Sequence, residues 1–266
     1  MKPEPDRVCD FLREAAEEDV LPRFRDLAAH HVMEKKPGDL VTIADLDAEA
    51  RLSRLLTDHV PGSVVVGEEG VHRDPGLLDK LETHDDLWII DPVDGTQNFA
   101  EGKSPFAIVI AFLSGGQTRC GWIHDPVAQE TAVAEEGSGA WIGRRRLHVA
   151  EGGPIEAMTG LINSNAYGRE YRDAVRPKKQ AFKEVLRYGS AAYAFRMLAD
   201  GARDFSIYNH LWSWDHAAGV LIHREAGGYT ARVDGAPYRP VDRVPGLLSA
   251  PDLETWRRID AFLRPS

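Results

Sequence analysis

Sulfur is scarce in this chain. Its 266 residues hold two cysteines, Cys9 and Cys120, and no CxxC pair. That argues against a disulfide framework and against a zinc–thiolate site, and it fits a reducing compartment. Long apolar runs are missing too. The longest, FAIVIAFL at 106–113, is far too short to span a bilayer and reads as a buried strand. The N-terminal stretch is acidic and has no apolar signal-peptide core, so a cytoplasmic protein without a membrane segment is expected. Positive charge is in deficit: 32 Lys and Arg stand against 42 Asp and Glu, a net charge of −10. Such a surface repels a phosphate backbone, so nucleic acid is not an expected partner. A small anionic substrate stays possible wherever a bound metal reverses the local field.

Several catalytic signatures are absent as well. There is no HExxH. Gly102-Lys103-Ser104 resembles the end of a phosphate-binding loop, but the glycine required five residues earlier is Gln97. Gly137-Ser138-Gly139 completes neither a dinucleotide fingerprint nor a nucleophile elbow. His124 and His216 read as structural, and His30-His31 as a helix end.

Apolar spacing predicts a helix within residues 5–32 and a second over 45–59. Short strands are expected at 63–66 and 87–90, and meander strands at 106–113, 118–124 and 130–135. Gly137 to Gly143 reads as a loop. Beyond about residue 150 the texture alternates. Strands are expected at 159–162 and 184–188, and helices at 191–198, 214–225 and 253–263. The fold class is therefore α+β in the first half and α/β in the second. The division expected is an N-terminal metal-binding domain over 1–150 and a C-terminal domain over 151–266 that completes the active site.

What the chain does have is acid at the ends of its predicted elements. Asp45 follows LVTI at a helix start, Glu68-Glu69 follow SVVVG, Asp91 and Asp94 follow LWII, and Asp215 opens a helix in LWSWDHAAG. One such acid is ordinarily a helix cap or a solvated side chain. Several at one sheet edge repel each other unless a cation neutralises them, and hard oxygen ligands suit Mg²⁺. In DPVDGT, the strand delivers Asp91, and Pro92 removes a donor and can leave the Val93 carbonyl aimed inward. Asp94 returns to the same side, and Gly95 permits the turn. The N–H groups of Gly95 and Thr96 open a helix, where an anion is favoured. Metals beside an anion hole suit a phosphate ester.

In this order, LVTIAD, VGEE, DPVDGTQNF and WDHAAG resemble the inositol monophosphatase family of lithium-sensitive, Mg²⁺-dependent phosphatases, over about residues 10 to 262. IHDPVAQETAVAEEGSGAWIGRRRLHV is similar to that family's central meander, and RYGSAAYAF to its second-domain strand-to-helix turn. The resemblance implies a layered αβαβα sandwich of the inositol monophosphatase/fructose bisphosphatase type, and a homodimer. It implies Glu68, Asp91 and the Val93 carbonyl as ligands of one Mg²⁺, and Asp91, Asp94 and Asp215 as ligands of a second, with a third, weaker ion near Glu68. Thr96, hydrogen-bonded to Asp45, would help Glu68 activate the attacking water, with Glu69 behind them. Gly95 and Thr96 would hold phosphate, and Gly189, Ser190 and Ala191 would form the substrate-side loop. Hydrolysis would need no covalent intermediate. Inositol-specific members carry a Glu seven residues before the WD aspartate; here that position is Tyr208. Inositol 1-phosphate or a similar polyol phosphate is the leading substrate expectation. Histidinol phosphate, a sugar bisphosphate and 3′-phosphoadenosine 5′-phosphate are the alternatives within the family. A regulatory, protein-binding homologue is the alternative outside catalysis.

Overall fold

The computed structural model describes residues 2–27, 32–36, 39–163 and 169–264. Helices α1 (Pro5–Ala15) and α2 (Ile43–His59) lead into strand β3 (Val64–Gly67), after the hairpin β1 (Val32–Lys36) and β2 (Asp39–Thr42). Short helices α3 (Glu68–Arg73) and α4 (Lys80–Thr83) precede β4 (Asp86–Asp94), and α5 (Thr96–Ala100) follows it. The meander β5 (Ala107–Ser114), β6 (Gln117–Asp125), β7 (Glu130–Glu135), β8 (Gly139–Ile142) and β9 (Arg145–Arg146) completes a seven-stranded sheet in the order β3 to β9. Only the β3/β4 pair in it is parallel.

The second half adds β10 (Thr159–Ile162), α6 (Arg169–Lys178), β11 (Glu184–Leu186), α7 (Ala191–Ala199), β12 (Phe205–Tyr208) and α8 (Ser213–Glu225). Strands β13 (Tyr229–Arg232) and β14 (Leu247–Ala250) and helix α9 (Leu253–Leu263) close it. Its five-stranded sheet runs β11-β10-β12-β14-β13. Helices α1 and α2 cover one face of the large sheet, while α7 and α8 lie between the two sheets. Helices α6 and α9 sit on the outer face of the small one. The expected αβαβα layering is the one observed.

This layering explains why β5 reads as an unbroken apolar run. Both of its faces are covered, so neither can be polar. Ile108, Ile110 and Phe112 join the core under α1 and α2. Val109, Ala111 and Leu113 join the core under α7 and α8. That second core draws on both sides of residue 150, from Val66 to Leu247.

Several boundaries differ from the sequence reading. The first helix is not one helix over 5–32. α1 gives way to a π turn at Ala16–Val20 and a 3₁₀ turn at Leu21–Arg23. Pro22 has no N–H to continue the ladder, and Arg25 adopts a positive φ of 66°. His30 and His31 lie outside the described residues. Gly137 to Gly143 is not a loop, since β8 pairs with β7 from Gly139 to Ile142. The glycines there bracket a short strand with turns instead of dissolving it. The strand expected at 184–188 stops at Leu186, and the strand expected at 87–90 runs from Asp86 to Asp94. Strands β1 and β12 were not anticipated.

Gly121 marks where α8 lies closest to the large sheet. A Cβ built there would stand 2.9 Å from Ala218 Cα and 3.0 Å from its carbonyl oxygen. Overpacking against backbone costs about 1–3 kcal/mol. Gly121→Ala should therefore lower the melting temperature by several degrees. Gly153→Ala, whose Cβ would meet nothing within 4 Å, should leave it nearly unchanged. Equal melting temperatures for the two variants in a thermal scan would show that α8 is not pinned at this contact.

Candidate metal and phosphate site

The site begins with a register problem. Side chains alternate along a strand, so two residues three apart face opposite ways. In β4, Leu87 and Ile89 point to the α7/α8 side, and Trp88 and Ile90 to the α1/α2 side. Asp91 continues the first set. Asp94 would fall on the second if the strand were regular. It is not: Asp91 pairs with Val109 and Asp94 with Ala107, so two residues, Pro92 and Val93, oppose Ile108 alone. This extra residue is a β-bulge, and it returns Asp94 to the face of Asp91. Val93 is left fully buried in the α1/α2 core. The sequence reading had the strand end at Asp91 and expected Asp94 on the same side; the bulge within the longer strand is what places it there.

Helix α8 supplies the third acid, with Asp215 in its first turn. Single oxygens of Asp91, Asp94 and Asp215 all lie within 4.8 Å of one another. Burial is the main reason the Asp91 carboxyl is held well above the usual carboxylate range, and Glu68, Asp94 and Asp215 push it further. Its own carboxylate accepts the Val93 N–H at 3.1 Å. Asp94 is also raised by burial, against the pull of three donors. These are Ser190 Oγ at 2.5 Å, Ala192 N at 2.7 Å and Ala191 N at 3.2 Å. Two residues expected to face substrate, Ser190 and Ala191, thus hold Asp94 from the start of α7. Ser190 also caps α7 by accepting Tyr193 N–H.

Asp45 and Thr96 come together as expected. The Thr96 hydroxyl lies 3.3 Å from Asp45 Oδ1 and 2.9 Å from the Val93 carbonyl. It has one proton to donate, and the shorter path is to Val93. The other Asp45 oxygen accepts both the backbone N–H and the hydroxyl of Thr42, closing a capping box at the start of α2. Burial pushes the Asp45 carboxyl up to about 7, opposed by those bonds. Gly95 has φ +98°, and a Cβ there would press on the Pro105 carbonyl at 3.1 Å; only glycine serves this turn.

Glu68 stands apart from the three-aspartate group. Its carboxylate accepts from Lys35 Nζ at 2.7 Å, and Glu69 accepts from the same ammonium at 2.7 Å. Burial raises Glu68 to about 7 against the pull of Lys35. Burial alone would lower Lys35, but the two glutamates hold it above the usual lysine range. Sequence reasoning missed Lys35, which comes from β1. It also missed Glu49. That buried carboxylate accepts the N–H groups of Glu69 and Gly70 at 2.8 and 2.7 Å and so anchors the turn carrying Glu68. A signal existed: Glu49 lies four residues after Asp45, on the same face of α2.

Asp94 and Asp215 stand at the edge of a cavity of about 670 Å³ that also takes in Gly189, Ser190, Ala191 and Tyr208. Asp91, Glu68 and Thr96 are not part of its wall. Tyr208 packs between Phe195 and His216, with ring centroids 6.1 and 5.1 Å away. Trp212 is 40% exposed and stacks on buried Trp214. His124 and His216 are buried, and burial pushes both imidazoles down to about 4, consistent with structural roles.

Three carboxylates this close, two buried and one half-buried, form an oxygen-only donor set that demands a counter-charge and fits Mg²⁺. Residues 7–260 match the model of the family described as "Inositol monophosphatase family".

This chain belongs to the inositol monophosphatase family.

A fructose-1,6-bisphosphatase/inositol-1-monophosphatase of Thermotoga maritima is 33% identical over 207 residues, 76% of each chain. The protein named Nus factor SuhB of Vibrio cholerae is 32% identical over 205 residues, 73% of this chain and 72% of that one. The solved Thermotoga maritima IMPase superposes with a TM-score of 0.82 at 27% identity, covering 97% of this chain and 95% of that one.

Without a cation, the raised carboxyl pKa values set a pH trend. A group whose folded pKa lies above its unfolded value favours folding while protonated. That stability is lost as pH rises from the unfolded pKa through the folded one. Asp45 and Glu68 at about 7, with Asp91 and Asp94 also raised, predict that chelated protein melts lower at pH 8 than at pH 6. Mg²⁺ should close the gap. Asp91→Asn should raise the chelated melting temperature at pH 8, at about 2–4 °C per kcal/mol of repulsion relieved, and abolish the Mg²⁺ response. A chelated protein with a flat pH profile would contradict this.

Proposed function

We propose that this phosphoric monoester hydrolase uses Mg²⁺ to cleave a small phosphorylated polyol, with inositol 1-phosphate the first substrate to try. The observation that carries the reading is the three-aspartate cluster beside the cavity, in a chain the family matches nearly end to end. Asp91, Asp94 and Asp215 would hold the metal, with Glu68 and the free lone pair of the Val93 carbonyl extending the set to two or three ions. Bound Mg²⁺ would supply the positive charge that admits a phosphate dianion to an acidic site and lowers the pKa of water there.

The chain's own groups do the rest. The Thr96 hydroxyl, placed between Val93 and Asp45, orients the attacking water, with Glu68 as the nearby carboxylate that takes its proton. Gly95 and Thr96 present N–H groups to the phosphate. Gly189, Ser190 and Ala191 form the substrate-side wall, with Ser190 and Ala191 also fixing Asp94. The water oxygen forms its bond to phosphorus as the ester P–O bond breaks, and the departing alkoxide takes up a proton to leave as the alcohol.

The same reading carries inhibition by Li⁺, a homodimer and a cytoplasmic location. Among the described residues no helix is long and apolar enough to cross a membrane. One observation favours a second reading, a protein-binding regulatory role: the similarity to the Vibrio cholerae protein named as a Nus factor. The intact set of acids supports retained catalysis alongside it.

Phosphate release from inositol 1-phosphate should vanish in excess EDTA, return with Mg²⁺ and fall with millimolar Li⁺; full turnover in EDTA would refute the metal role. General-base assistance is worth about 10²–10⁴-fold in rate. Thr96→Val should therefore lose kcat on that scale with little change in KM, while Thr96→Ser stays active. Steady-state kinetics decide this, and wild-type kcat in Thr96→Val would mean another group orients the water.

A further inference from the structure

In DPVDGTQNF the aspartates and Thr96 belong to the site, and Phe99 is buried in the α1/α2 core. Asn98 is left over. It sits half-buried in α5, and its side-chain nitrogen makes two bonds that leave the helix. Asn98 Nδ2 donates to the Pro105 carbonyl at 2.7 Å and to the Tyr188 carbonyl at 2.8 Å. Both partners can only accept, so the amide nitrogen must face them, and its two hydrogens are fully used. Pro105 lies just before β5, whereas Tyr188 lies between β11 and α7, 90 residues from Asn98.

The space around this amide is tight. Gly189 has φ +74°, and a Cβ there would stand 3.1 Å from Asn98 Nδ2 and 3.2 Å from Oδ1. A Cβ on Gly95 would meet the Pro105 carbonyl at 3.1 Å and the Gly189 carbonyl at 3.3 Å. The Gly95 turn, the Pro105 carbonyl and the 188–190 segment therefore meet at one junction, and Asn98 ties the three together.

Among the described residues, four hydrogen bonds hold segment 188–192 to the stretch from Asp94 to Asn98. Three end on Asp94, from Ser190 Oγ, Ala191 N and Ala192 N. The fourth is the bond from Asn98 to Tyr188. Asp94 belongs to the aspartate cluster, so its lone pairs are shared with any cation bound there. Asn98 carries no charge and stands outside that cluster, so its hold does not depend on a metal. Tyr188 and Gly189 line the same cavity as Asp94 and Asp215. Arg203 fixes the hydroxyl end of Tyr188 by donating to it at 2.7 Å, and Asn98 fixes the backbone end. The Gly95 turn has holds of its own: Thr96 donates to the Val93 carbonyl, and the Phe99 N–H to the Gly95 carbonyl.

We propose that Asn98 is a positioning residue that seats the cavity wall at Tyr188–Ser190 against the Gly95 turn, with or without a cation on the aspartates. It acts through two backbone carbonyls and not on the reacting atoms. The part that concerns substrate rests on the phosphatase reading: the wall grips the body of the ester, and the phosphate is held elsewhere.

Hydrogen exchange read by mass spectrometry follows the peptide over 188–195, with β5 as internal reference. Asn98→Leu keeps the branched shape and removes both donors; Asn98→Ser, too short to span both carbonyls, is the milder second variant. Either should speed exchange at 188–195 about tenfold, the scale of a lost hydrogen bond, in EDTA and in Mg²⁺ alike, and leave β5 unchanged. Kinetics gives the second readout. KM for inositol 1-phosphate should rise about tenfold with a smaller change in kcat. Inhibition by inorganic phosphate, which has no body to grip, should stay close to that of the unaltered enzyme. Unchanged exchange at 188–195, or equal acceleration in β5, overturns the seating role. A rise in KM matched by an equal loss of phosphate inhibition overturns the wall's grip on the ester body. Failure of the unaltered enzyme to release phosphate from any monoester with Mg²⁺ overturns the phosphatase reading instead, and the exchange result still decides the seating.

Discussion

Like charges confined beside a cavity set the terms for this molecule. Asp91, Asp94 and Asp215 sit within 4.8 Å of one another at the end of a strand buried on both faces. Water would separate such groups, and the protein prevents that by fixing each one through backbone geometry. Asp91 is fixed by strand pairing, Asp94 by a bulge and three donors from the second half, and Asp215 by the first turn of a helix between the sheets. The repulsion is not relaxed locally. It is held in place by the packing of α7 and α8 between two sheets, and the cluster therefore stays poised for a cation.

Around the cluster, charge is balanced in separate compartments. Lys35 bridges Glu68 and Glu69 and offsets one of their two charges, and Glu49 accepts two N–H groups in the first turn of α3. Thr42 satisfies one oxygen of Asp45 and leaves the other toward Thr96. The acids near the cluster are thus met by donors, one lysine serving both Glu68 and Glu69, whereas among the described residues no lysine or arginine bonds Asp91 or Asp94.

The sequence was legible where physics is local. Apolar alternation and turn residues located β3 to β7 in the large sheet and β10 and β11 in the small one. The acids at their ends were found because charge after a buried run is conspicuous. Legibility ended where the outcome depended on partners distant in the chain. The bulge at Pro92–Val93 is a matter of register against β5, and nothing in DPVDGT by itself says that Val93 turns into the core. Strand β8 hid behind its glycines because β7 lies beside it in space. Lys35 sits in a stretch with no catalytic spacing, and its meaning appears only once β1 folds over α3. Ser190 and Ala191 were read as substrate contacts, and their bonds to Asp94, nearly a hundred residues away, needed the fold.

Those bonds have a further implication. Asp94 closes the open end of α7 through Ser190, Ala191 and Ala192, and it also belongs to the cluster that calls for a metal. One carboxylate therefore answers to two masters, one inorganic and one made of peptide. Anyone retuning the site for a different ion by altering this residue would also be altering how the start of α7 is held against β4. Metal preference and the hold on the first turn of α7 are coupled through this one carboxylate.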